Sequence, residues 1–210
     1  MSAPVELSSL DLAALLCSKV CHDLINPVAA IKNGFQLVDM DQKPESREEA
    51  YKLIRQSAES ATAKLEFARI AFGAAGSAGA QIDVGDVADL ARGVFEPGTK
   101  VAFNIPKTLL PKNRVKLLLN LIIIAGAMIP RGGTMTIDPI GSGESMGFTV
   151  RVEGSRVVVH PAVEALLSGT PAETVNAQSI QPFYTGVLAR AEGMKTVLAA
   201  DSAGATLSAQ

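Results

Sequence analysis

Tryptophan is absent and tyrosine occurs twice, so the chain offers little aromatic surface on which nucleic-acid bases could stack. An excess of one charge is missing as well. Nineteen Lys and Arg against twenty-one Asp and Glu give a net charge of -2, with no global attraction to nucleic acid or an anionic membrane. Cysteine occurs only at Cys17 and Cys21, too few for a secreted-type disulfide framework. At i,i+4 on one helix they are expected as buried small apolar residues in a reducing compartment. The longest apolar run, 117–129, is broken by Asn120 and falls short of the ~18 residues of a membrane span. Glu6 and Asp11 stand where a signal peptide would be basic. The expected location is cytoplasmic, with neither nucleic acid nor membrane as partner.

What is present is apolar periodicity. With 48% hydrophobic residues, 210 residues can bury one large or two small cores. Leu10, Ala14, Cys17, Cys21, Leu24, Val28, Ile31, Phe35 and Val38 repeat at alternating four and three, a heptad seam. Ser8 or Ser9 can cap its start and Pro44 disfavours helix at Lys43, which predicts a helix over 9–39 with Gly34 as its weak point. A second seam runs through Tyr51, Ile54, Ala58, Ala61, Leu65, Ala68 and Phe72. Two long helices and a short turn make an antiparallel hairpin. Burying each Leu, Ile or Phe is worth roughly 1.5–3 kcal/mol, so the remaining stripe is expected to pair with a second copy in a homodimeric four-helix bundle.

After a Gly/Ala/Ser-rich stretch the pattern changes. Helices are expected at 84–94, 111–129 and 161–167 and within 173–192, and strands at 100–105, 134–137, 148–152, 195–199 and 205–208. The class is α+β: a helical hairpin domain at 1–76, a linker at 77–81, and an α/β sandwich domain at 82–210. The helix over 111–129 is apolar enough to be the core of that second domain.

The polar cluster Ser18-Lys19-Val20-Cys21-His22-Asp23-Leu24-Ile25-Asn26-Pro27-Val28 interrupts the first seam. His22 lies about 100° from Cys21 and so outside the packed line. A solvated imidazole is largely uncharged at neutral pH and keeps a nucleophilic lone pair, which suits phosphoryl acceptance. Asp23 can hydrogen-bond the other ring nitrogen and hold its tautomer. Asn26 shares the face of His22 one turn on, and Pro27 removes a main-chain hydrogen bond at a cost of about 3 kcal/mol. Pattern alone leaves two readings of His22 open, a solvated surface histidine and a phosphoacceptor.

His22-Asp23-Leu24-Ile25-Asn26-Pro27-Val28 resembles the phosphoacceptor H-box of two-component histidine kinases, and the chain is similar to their dimerisation hairpin followed by their ATP-binding domain. The resemblance implies that His22 is phosphorylated and that the hairpin dimerises. It breaks where ATP should bind. In Leu118-Leu119-Asn120-Leu121-Ile122-Ile123-Ile124-Ala125, Ile124 stands in place of the magnesium-chelating Asn, and an aliphatic side chain gives no oxygen to a hard cation. Val152-Glu153-Gly154-Ser155-Arg156 lacks the Asp and the second Gly of the adenine-reading segment. Pro182-Phe183-Tyr184-Thr185-Gly186 is followed by no glycine-rich lid.

An intact H-box beside a degenerate kinase ATPase-type domain resembles a histidine phosphotransferase. That likeness implies transfer between receiver-domain aspartates through His22, with no cofactor of its own, no ATP, and Mg2+ supplied by the receiver. The implied partners are the receiver of a hybrid histidine kinase and downstream response regulators. Ser18, Lys19, Ile25, Asn26 and Ala29 are the expected docking surface, with Ile25 as apolar anchor. Two alternatives stay open: a receiver-binding regulatory protein, and a response-regulator phosphatase using Asp23 and Asn26.

Overall fold

The computed structural model describes residues 4–40, 43–73, 79–96 and 98–210. Part of the expected linker, 77–78, lies outside them. Helix α1 spans Ser9–Met40 and α2 spans Pro44–Ala71. Ser8 starts α1 as a side-chain cap: its hydroxyl oxygen accepts from Asp11 N at 3.1 Å and its O–H donates to the Asp11 carboxylate at 2.6 Å. Pro44 begins α2 in the first turn, where its missing N–H is harmless.

The two helices pack along Leu24, Pro27, Ile31, Gly34 and Val38, of which Pro27, Gly34 and Val38 are buried. This line shares only Leu24, Ile31 and Val38 with the nine residues of the expected seam. Leu10, Cys17, Cys21, Val28 and Phe35 face outward, so the cysteines are exposed rather than buried. The physical reason is that the apolar stripe is wider than one partner helix can cover. Gly34 is also no weak point, because a Cβ there would meet Ile54 Cγ1 at 2.5 Å and Ala50 O at 3.4 Å. Glycine is what lets α1 and α2 approach.

The second unit begins with β1 (Gln81–Asp83), α3 (Val84–Phe95), β2 (Thr99–Phe103), β3 (Leu109–Pro111) and α4 (Lys112–Ala127). It continues with β4 (Gly133–Ile140), β5 (Gly147–Glu153), α5 (Val163–Ser168), α6 (Ile180–Ala191), β6 (Thr196–Ala200) and β7 (Gly204–Ala209). One sheet runs β2-β4-β5-β7-β6, parallel at β2/β4 and antiparallel elsewhere; β1 and β3 form a separate antiparallel pair. Phe148, Val150 and Val152 of β5, with Ala205, Leu207 and Ala209 of β7, point to the buried face. The intervening Thr149, Arg151 and Thr206 are only partly covered on the other face. That alternation makes an α/β sandwich. α4 fills its middle: Val115, Leu117, Leu118, Leu119, Leu121 and Ile122 are fully buried.

Hairpin and sandwich meet at the open end of the hairpin, where α1 begins and α2 finishes. Val5 N donates to Gly169 O at 2.7 Å, and Leu7, Leu12, Leu15 and Leu16 pack against Leu166, Val175, Ile180 and Phe183. Beside them, at the close of α2, Phe67, Ala71 and Phe72 join the main core, and the Phe72 ring lies 6.0 Å from that of Tyr184. There the buried amide of Asn120 donates to Ala71 O at 3.0 Å.

Candidate functional site

His22 stands on the side of α1 away from α2. Pro27, five residues on, is turned about 140° from it toward the hairpin interior. The imidazole is accordingly 78% exposed. Its Nδ1 lies 3.4 Å from Asp23 Oδ1. That contact leaves Nε2 as the ring nitrogen open to an incoming group.

Asp23 is held on its other side. The Lys19 ammonium, one turn earlier, pairs with Asp23 Oδ2. Lys19 was expected on the docking surface, but its side chain is only 17% exposed. The opposite charge at i+4 draws it inward, and it borders a cavity of the second unit. The other expected surface residues, Ser18, Ile25, Asn26 and Ala29, are exposed, Ile25 at 62%. Pattern reasoning missed Lys64 of α2, whose Nζ donates to Asp23 O at 3.4 Å. Its distance of 41 residues in sequence leaves no local signal.

The cavity beside Lys19 has about 590 Å3 and lies between α4, α5 and α6. Ile124 lines it and is itself buried, so the wall offers carbon where the resemblance would require a magnesium ligand. Residues 182–186, the segment after which the resemblance breaks for want of a lid, lie within the continuous helix α6, with Gln181 to Gly186 all buried. His160 faces the cavity rim, where its Nδ1 accepts from Ala162 N at 3.2 Å and steadies the turn into α5. Asn120, which the N-box pattern retains, is fully buried and bonded to Ala71 O, Lys116 O and Gln181.

Residues 84–204, more than half of the chain, match the family model of the histidine phosphotransferase C-terminal domain. The chain belongs to the histidine phosphotransferase family. It is 46% identical over its full length, and over the full length of the relative, to the protein phosphotransferase ChpT of Brucella abortus (strain 2308). A solved bacterial phosphotransferase superposes with a TM-score of 0.89 at 43% identity, each chain covered completely. Phosphotransferase activity and the α+β class, hairpin first, are thereby as expected from the sequence.

Proposed function

We propose that this phosphotransferase relays phosphoryl groups between receiver aspartates through His22 and uses no ATP. The observation that carries this reading is the outward imidazole with its Nδ1 on Asp23; the buried aliphatic Ile124, which stands where the kinase resemblance implies a magnesium-chelating Asn, supports it. In the first step Nε2 attacks the phosphorus of a receiver's aspartyl phosphate. The N–P bond forms, the P–O bond to the aspartate breaks, and the aspartate leaves as a carboxylate. Nδ1 keeps its proton throughout, and Asp23 faces the positive charge that N-phosphorylation creates on the ring. The second step reverses this chemistry on another receiver. The receiver supplies Mg2+, because in-line transfer requires charge neutralisation beyond what an imidazole provides.

The partners on this reading are a CckA-like hybrid kinase receiver and CtrA-like and CpdR-like response regulators, which dock over Ile25 with Ser18, Asn26 and Ala29. The outward stripe Leu10, Cys17, Cys21, Val28 and Phe35 closes against a second copy, completing the four-helix bundle. Sedimentation should give a dimer; a monomer at micromolar concentration would refute this. By length and composition α1 could also cross a membrane. Lys19, His22, Asp23, Asn26 and Lys32 along it would then sit in lipid, so we place it in a cytoplasmic bundle.

The test combines a phosphorylated receiver, this chain or its His22→Ala variant, and an acceptor receiver, with and without ATP. Labelling of the wild type without ATP, lost in His22→Ala, is expected. Labelling at another residue, or only when ATP is present, would overturn the proposal. Asn26, exposed four residues after His22, favours one second activity, the orienting of water for receiver dephosphorylation. Asn26→Ala in a His22→Ala background should then slow loss of receiver phosphate; an unchanged rate removes Asn26 from that role.

A further inference from the structure

In an uninterrupted helix the carbonyl of Asp23 would accept from the N–H of residue 27. Pro27 has none. The carbonyl vacated in this way belongs to the residue beside the phosphoacceptor, and the atom that reaches it is Lys64 Nζ, from the other helix of the hairpin, at 3.4 Å. The stem of Lys64 is only partly exposed and lines a small cavity of about 230 Å3 with Val20, Leu24, Phe67 and Phe95. Apolar walls along the stem direct its charged end to the Asp23 carbonyl.

Asp23 is thus held by two lysines from two helices. Lys19 takes Oδ2 of its carboxylate, Lys64 takes its main-chain oxygen, and Oδ1 remains for His22 Nδ1. Resting on the relay reading above, we propose that Lys64 is a positioning residue for transfer at His22. It replaces the main-chain hydrogen bond that Pro27 removes and so fixes the direction in which Asp23 presents its carboxylate. Without it the Asp23 peptide can turn, and the tautomer and the developing ring charge at His22 lose their partner.

This assigns a coupling between positions 27 and 64 that a merely structural lysine would lack. In Pro27→Ala the restored N–H satisfies Asp23 O, and Lys64 becomes dispensable. The experiment is single-turnover transfer from a phosphorylated receiver, with receiver concentration varied, on wild type, Lys64→Met, Lys64→Arg, Pro27→Ala and Pro27→Ala/Lys64→Met, each checked for folding by circular dichroism. Lys64→Met should slow the limiting rate about tenfold, equivalent to about 1.4 kcal/mol, at an unchanged half-saturating concentration. Lys64→Arg should retain most of the rate. In the Pro27→Ala background the same Met substitution should change the rate less than about twofold. Equal slowing in both backgrounds, or an effect confined to half-saturation, would overturn the assignment. Wild type that accepts no phosphate from the receiver would instead overturn the relay reading itself.

Discussion

Asn120→Ala should destabilise the folded chain severely, although the residue lies far in sequence from His22. Its side chain is fully buried, donates to Ala71 O at 3.0 Å and Lys116 O at 2.7 Å, and accepts from Gln181 Nε2 at 2.6 Å. Truncation leaves Lys116 O inside the α4 ladder, where it stays satisfied. Ala71 O at the end of α2 and Gln181 Nε2 both lose this partner in the interior. Each such group costs about 1–3 kcal/mol, so the expected loss is about 2–6 kcal/mol, a large share of a domain's stability. Gln181 Oε1 already meets no partner among the described residues, so the truncation leaves its whole amide stranded. That allows a sharper test. Adding Gln181→Leu removes the stranded amide, and the double variant should be less destabilised than the sum of the single variants by about 1–3 kcal/mol. Urea unfolding followed by circular dichroism at one fixed protein concentration reads all four proteins, because association would otherwise shift the midpoint. A loss below about 1 kcal/mol for Asn120→Ala, or strict additivity with Gln181→Leu, would refute the network as the tie between hairpin and sandwich.

Arg114→Met keeps bulk but strips Glu192 of the guanidinium 2.9 Å away in a setting where both side chains are under a fifth exposed; urea unfolding should show a loss of about 2–4 kcal/mol, partly recovered by adding Glu192→Gln. Burial raises the phenol of Tyr184 above the usual tyrosine value, so ultraviolet titration should show a step above the usual tyrosine range that is lost in Tyr184→Phe. Since the folded-state value is the higher one, the associated stability is complete below about pH 10 and is lost as pH climbs through that value. Asp201 moves the other way: the Ala203 amide first, then Arg151 and the Gly204 amide, hold its carboxyl below the usual range. Its contribution is present above about pH 4 and lost as pH falls through the lowered value, so Asp201→Asn should flatten the acid limb of the stability profile.

Periodicity made the long helices legible: 9–39 was expected and Ser9–Met40 is observed. The three-residue strands β1 and β3 carry too few alternations to register, and neither was expected. Helix α6 starts at Ile180, well inside the expected 173–192. The Asn176 side chain accepts from Gln178 N and Ser179 N, and this local turn competes with helix. On the outer face of α1 the exposed His22, Ile25 and Asn26 followed from angular position alone. The inward turn of Lys19 did not, because Asp23 at i+4 competes with solvent for its charge. The outward Cys17 and Cys21 show the limit of a heptad: it fixes which residues share a stripe and leaves open which chain covers it.

On the relay reading proposed above, the packing of the two units leaves His22 open to a partner. The sandwich grips the hairpin at its open end, through the Leu7 to Leu16 segment and through Ala71 and Phe72, while His22 projects from the side of α1. A catalytic nucleotide domain would have to travel to that imidazole, and every contact at that end opposes such travel. A docking receiver faces no such obstacle: it brings its aspartyl phosphate to an imidazole already exposed and already held on Asp23. Fixing the second unit in place therefore costs a kinase its function and a relay nothing. Positioning of His22 then falls to the hairpin itself, where Pro27 vacates a carbonyl and Lys64 meets it.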